Sequence, residues 1–235
     1  MTEPLRIGAV TLGERPCIVA AGGEREVDAL CAADGADVVE LRADLFDTPS
    51  VAGMTRALAR LRDGRRPIVL TARAAREGGR AMAEALRREL YEAGLELVDA
   101  IDIEIASTTL AAAMVPAARR AGRTVILSTH DFETTPPRTE LLARAARAFE
   151  AGAHLAKMAA HAASTRELGV LIDVTRGLAP RPVATLAMGP MGPLSRIALP
   201  AAGSLLTYAA VGVPTAPGQM PLDELAPLVH RFFPA

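Results

Sequence analysis

Residues 36–45 read ADVVELRADL, and the reading of this stretch decides the fold. Val38, Val39 and Leu41 form a short apolar run of the kind found in strands, while Glu40, Arg42 and Asp44 recur at period two. Alternate side chains of a strand point to opposite faces, so the three charges share one face. A packed apolar interior would not contain them, because an unpaired buried charge is expensive. Their crowding toward the end of the run suits the C-terminal face of a closed parallel barrel, where such folds carry their chemistry.

The rest of the chain has the same form. Further strand candidates are PCIVAAG (16–22), PIVLTAR (67–73), LVDAIDIEIA (97–106), TVILSTHDF (124–132), GAHLAKMAA (152–160), RPVATLAMG (181–189) and SLLTYAAV (204–211). Alanine-rich, arginine-studded segments with helical spacing lie between them, for example 54–63, 79–94 and 165–178. Such alternation predicts βα units on a parallel sheet. Eight strands predict an α/β fold, a (β/α)8 TIM barrel running as one catalytic domain over residues 1–235. A doubly wound open sheet is the alternative, but AGGERE (21–26) is a poor match to the glycine-rich turn expected after its first strand.

Composition narrows the function. Hydrophobic residues make up 50% of the 235 and charged residues 23%, with a net charge of -1. This is a globular balance with no general attraction to nucleic acid or to an anionic membrane. The start, MTEPLRIGAV, lacks a signal-peptide pattern, and no apolar run reaches the roughly eighteen residues of a membrane span, so the expected location is cytoplasmic. Any acidic substrate must be held by local arginines. Cys17 and Cys31 lack metal-ligand spacing and a disulfide framework, and read as reduced core residues. No ligand cluster suits a metal, and neither metal nor cofactor is expected.

One letter in GAHLAKMAAH (152–161) stands apart, because Lys157 is the only lysine among 26 basic residues. Arginine serves as well wherever a solvated charge or a carboxylate partner is needed, but it cannot lose its proton and attack a carbonyl. A primary amine in an apolar pocket can do so and form a Schiff base. Strand parity supplies companions: Asp102 with Glu104, Ser128 with His130, and Arg73 at the end of its strand. Glu40 and Arg42 read equally as a structural ion pair or as binding residues. Among four histidines, His130 is the one placed for proton transfer, with His161 a distant second, and Glu77 in AREGGR (75–80) is a candidate to fix its tautomer.

Taken in order, ELRADLF (40–46), TARAAREGG (71–79), IDIE (101–104), STHDF (128–132), AKMA (156–159), MGPMGPLSR (188–196) and TYAAVGVPTAPGQ (207–219) resemble the signatures of type I 3-dehydroquinate dehydratase, the Schiff-base hydro-lyase of the shikimate pathway in aromatic amino acid biosynthesis. The resemblance spans nearly the whole chain and implies the same (β/α)8 barrel. It implies that Lys157 forms an imine with 3-dehydroquinate, that His130 serves as base and then acid, and that Glu77 orients His130. It further implies that Arg196 clamps the substrate carboxylate and that Glu40, Arg42 and Arg73 bind ring hydroxyls. Met188 and Tyr208 then form apolar walls, Thr215 and Gln219 close over the site, and Asp102 and Glu104 lie beneath the lysine and tune its protonation. Leu186 and Thr215 depart mildly from the family pattern, and His154 and His161 are expected to alter the charge around Lys157. The implied partner is a small-molecule carboxylate, with a homodimer left open as the oligomeric state. Another Schiff-base barrel, such as an aldolase with a phosphate site at GPMGP (189–193) and APGQ (216–219), or a non-catalytic binding barrel, are the competing readings.

Overall fold

The computed structural model describes residues 4–234. Residues 1–3 and 235, the ends of the expected 1–235 unit, lie outside the described residues. Eight parallel strands follow one another around the sheet: β1 (Cys17–Gly22), β2 (Val38–Arg42), β3 (Ile68–Thr71), β4 (Ala100–Glu104), β5 (Thr124–Asp131), β6 (Leu155–His161), β7 (Val183–Met188) and β8 (Leu206–Ala210). β8 returns to β1 with Leu206 opposite Cys17. The Leu205 N–H reaches the Val183 carbonyl at 2.8 Å beside β7. The curled sheet is the expected (β/α)8 barrel.

Helices α1 (Val27–Cys31), α2 (Val51–Asp63), α3 (Glu84–Gly94), α4 (Thr108–Arg120), α5 (Arg138–Glu150), α6 (Thr165–Leu178), α7 (Gly192–Ala201) and α8 (Leu222–Phe232) follow the strands in turn. α2 shows why they form where they do. The Ser50 hydroxyl accepts the Gly53 N–H at its N-terminus, and Met54, Leu58 and Leu61 line one buried stripe. Each such leucine stabilises the fold by about 2 kcal/mol through apolar burial.

Two apolar bodies result. One lies between sheet and helices, and the other fills the lower half of the barrel with Cys17, Val19, Val38, Val69, Ala100, Ile126, Leu155, Ala184 and Leu206. A hairpin that the sequence reading missed, Arg6–Ile7 paired with Val10–Thr11, closes the lower end by inserting Ile7 and Leu12 into this interior. A short strand at Met220–Pro221 beside β8 was also unforeseen. Of the two cysteines expected in the core, Cys17 is buried there but Cys31 is only half-buried, because it ends α1 at the surface.

The helix expected from residue 79 starts only at Glu84. Ahead of it, Ala75–Glu77 form a single 3-10 turn that ends at Gly78 in the left-handed region, φ +85°. Gly79 then passes so close to the strand end that a Cβ would sit 2.0 Å from the Arg73 carbonyl oxygen. Glycine is therefore required for the loop to fold back and bring Glu77 inside. Gly79→Ala is expected to cost about 1–3 kcal/mol, the range for overpacking, seen as a fall in chemical-denaturation midpoint. An unchanged midpoint would show that the close approach is not there.

Candidate active site

Going up each strand, the side chains facing the barrel interior change from apolar to polar. Val38 gives way to Glu40 and Arg42, Val69 to Thr71 and Arg73, Ala100 to Asp102 and Glu104, Ile126 to Ser128 and His130, and Leu155 to Lys157. The polar half lies at the C-terminal ends of the strands, as the parity of Glu40, Arg42 and Asp44 predicts.

These groups form one connected layer. The Lys157 Nζ stands 2.8 Å from Asp102 Oδ2 and 3.7 Å from Glu40 Oε1, and lies 4.0 Å from the centroid of the Tyr208 ring. Arg73 Nη2 is 3.1 Å from the same Asp102 Oδ2, and Arg73 Nη1 donates to Glu104 Oε1 at 2.9 Å. Glu104 is also paired with Arg87, which comes from α3. Glu40 accepts from the Thr71 hydroxyl at 2.7 Å, and Arg42 donates to Asp44 at 2.9 and 2.7 Å. Burial opposes ionisation of Asp102, but Arg73, Lys157 and His130 outweigh it and hold the carboxyl well below its usual range. Burial likewise opposes ionisation of Glu104, which Arg73 and Arg87 nonetheless keep lowered.

His130 has a different environment. Glu77 Oε2 accepts both the His130 backbone N–H at 2.9 Å and Nδ1 at 3.0 Å. Burial first, then Arg73 and Lys157, push the imidazole well below its ordinary 6.5. Burial, with Glu104 adding to it, raises Glu77 to about 7. An ionised carboxylate can only accept, so with Glu77 ionised the imidazole carries its hydrogen on Nδ1. That tautomer leaves a free lone pair on Nε2, which is available to take a proton.

Of the four buried arginines, Arg196 on α7 has no carboxylate partner among the described residues, and its Nε lacks any hydrogen bond. Burial alone lowers it to about 10, so it remains charged at neutral pH. It lines the pocket with Lys157, His130, Met188 and Tyr208, and a group that brings one negative charge would complete it. Thr215 and Gln219 also line the pocket and hold each other, the Thr215 N–H and hydroxyl both donating to Gln219 Oε1 at 2.8 and 3.0 Å.

The structure thus gathers Lys157, His130, Glu77, Glu40, Arg42, Arg73, Met188, Arg196, Tyr208, Thr215 and Gln219 around one pocket. Five expectations change. Asp102 does lie against the lysine, but Glu104 does not touch it, because its carboxylate is taken up by Arg73 and Arg87. Arg42 pairs with Asp44, not with Glu40. The lysine lies beside two carboxylates and an aromatic face, not in an apolar pocket. His154 belongs to the other end of the barrel, where Nδ1 accepts the Val125 N–H and Arg119 lies beside Nε2, so it leaves the charge around Lys157 alone. His161 packs against Gly189 outside the pocket.

Strand parity placed Ser128 and Asp44 on the interior face without giving either a role, and sequence reasoning did not place Phe132 or Leu186 in the site. Arg87 had no signal, being one arginine among many. A larger hollow of about 1110 Å³ lies at the lower end of the barrel, but its lining has no lysine, and its Asp99 and His154 are taken up by the backbone N–H groups of Ile68 and Val125. No group of three or more His, Cys, Asp or Glu among the described residues could hold a metal ion, and no described helix is long and apolar enough to cross a membrane.

The chain is similar to known proteins along nearly its whole length. A family model described as type I 3-dehydroquinase matches residues 17–232. A 3-dehydroquinate dehydratase from Methanococcoides burtonii is 35% identical over 226 residues, covering 94% of this chain and 96% of the relative. Among solved structures, type I 3-dehydroquinate dehydratase from Clostridium difficile has a TM-score of 0.87 at 28% identity, covering 98% of this chain and 99% of that one. The 3-dehydroquinate dehydratase from Geobacillus kaustophilus gives 0.87 at 29%, covering 99% and 98%. With the family model matched along almost its whole length, this chain belongs to the type I 3-dehydroquinase family.

Proposed function

We propose that the chain converts 3-dehydroquinate to 3-dehydroshikimate through an imine on Lys157. The observation that carries this reading is the convergence, in one buried pocket, of a lone lysine, a neutral imidazole and an arginine with no carboxylate of its own. Nζ attacks the C3 carbonyl and water leaves, producing an iminium that acts as an electron sink. His130 Nε2 takes the C2 proton, and the C–H electrons move into the iminium to give an enamine. The enamine then expels the C1 hydroxyl, which takes the proton back from Nε2, and hydrolysis of the conjugated iminium returns the amine and the enone. Arg196 pairs with the substrate carboxylate, and Glu77 keeps Nε2 facing the pocket.

The aldolase alternative depends on glycine-rich loops that would cradle a phosphate. Here those glycines pack on one another: a Cβ on Gly192 would meet the Gly218 carbonyl oxygen at 2.6 Å, and one on Gly218 would meet that of Gly189 at 2.4 Å. Loop-to-loop packing accounts for them, and the phosphate reading has no support of its own.

Lys157→Arg keeps the charge facing Asp102 and Glu40 but removes the nucleophile, so it should fold, lose turnover and leave no borohydride-stable adduct. Detectable wild-type-like turnover would sink the imine. His130→Ala should still be trapped on its lysine yet turn over about a hundredfold or more slowly, as judged by absorbance of the conjugated product. The pH profile follows from His130. A base with a depressed pKa is active above that pKa and is lost as pH falls through it, so the acid limb of kcat/KM should lie below pH 6.5. A limb at or above that pH would contradict the neutral imidazole.

A further inference from the structure

Ser128 is fully buried on β5, with its Cα opposite Glu104 on one side and Lys157 on the other. Its hydroxyl lies 2.6 Å from Asp102 Oδ1 and 2.7 Å from Arg73 Nη1. The direction of both bonds is fixed by chemistry. A guanidinium only donates, so the serine oxygen accepts from Arg73 and must spend its one hydrogen on Asp102.

Asp102 has two cations to choose between. Oδ2 is shared by Lys157 at 2.8 Å and Arg73 at 3.1 Å, while Oδ1 goes to the serine. Left alone, an arginine fork and a carboxylate prefer the bidentate pair, two parallel bonds that use both oxygens and both Nη groups. Ser128 occupies one member on each side, Oδ1 of the aspartate and one N–H of Arg73 Nη1, whose other N–H goes to Glu104. The bidentate pair cannot close, and Oδ2 stays turned to the lysine.

We infer that Ser128 is a positioning residue for the reaction, holding Asp102 on Lys157 by blocking its capture by Arg73. It lies beneath the pocket and does not line it. Without the hydroxyl, Asp102 rotates onto Arg73, Nζ loses the acceptor that aims it, and the iminium loses its counter-ion. This rests on the imine mechanism proposed above.

The test is rapid-quench borohydride trapping with saturating 3-dehydroquinate on wild type, Ser128→Ala and Ser128→Cys, read by intact-protein mass beside thermal unfolding and KM. Ser128→Ala should fold, accumulate adduct about tenfold more slowly and keep its KM within about twofold, as expected for losing a hydrogen bond to a charged group that substrate binding does not use. Ser128→Cys, with a weak donor and acceptor, should fall between the two. A purely structural serine would lower the unfolding temperature and leave the trapping rate of folded enzyme unchanged, and that result overturns the inference. If the alanine variant does not fold, the cysteine variant decides, since a wild-type trapping rate in it is equally fatal. A wild type that yields no adduct on Lys157 overturns the imine reading instead.

Discussion

The Arg73 guanidinium, wedged between Asp102 and Glu104, is the contact on which the upper half of the barrel depends. It draws together the end of β3 and the carboxylates of β4, while its backbone N–H bonds Asp44 and thereby the end of β2. Arg73 is almost fully buried, and burial works against its charge, but Asp102, Glu104 and Glu40 outweigh that and raise its pKa well above the ordinary value. Removing one member of such a buried pair typically costs about 3–5 kcal/mol, because the other charge is then left uncompensated. Replacing the whole set by apolar residues would be far less damaging, so its justification is not stability. It fixes where each charge points.

The layer is close to electrically neutral by construction. Arg42, Arg73, Arg87 and Lys157 face Glu40, Asp44, Asp102 and Glu104, all buried. Glu77 stands apart, with its carboxyl raised to about 7 beside a neutral imidazole. Arg196 is then a surplus buried cation, held in place before any ligand arrives. A preorganised charge of this kind needs no reorganisation when a counter-ion binds.

Support for the layer comes from below and from outside. The apolar lower interior, sealed by Ile7 and Leu12, gives the charged layer a floor that excludes water, which strengthens every electrostatic contact above it. On the outside, Arg87 reaches in from α3 to Glu104, to Ser107 and to the Ala72 carbonyl. The Tyr91 hydroxyl joins the Asp102 carbonyl to the Ala72 N–H at 2.6 and 2.9 Å. A helix on the barrel's outer face thus sets the geometry of the strand ends that carry the site.

Periodicity and residue type determined the strand count, the parallel order and the interior face of each strand, because these depend on local alternation and on the cost of burying charge. They also singled out Lys157, whose chemistry no arginine can replace, and His130, whose strand parity faces the same interior. Pairing was decided only in three dimensions. Glu104 went to Arg87 and away from the lysine, Arg42 to Asp44, and His154 to the far end, since which charge meets which depends on strand stagger and helix docking between residues far apart in sequence. The late start of α3 and the lower hairpin were likewise hidden, the first set by a backbone contact at Gly79 and the second by the need to close an open barrel end. Alternation along one strand says which way a side chain faces, and only the closed barrel says what it meets there.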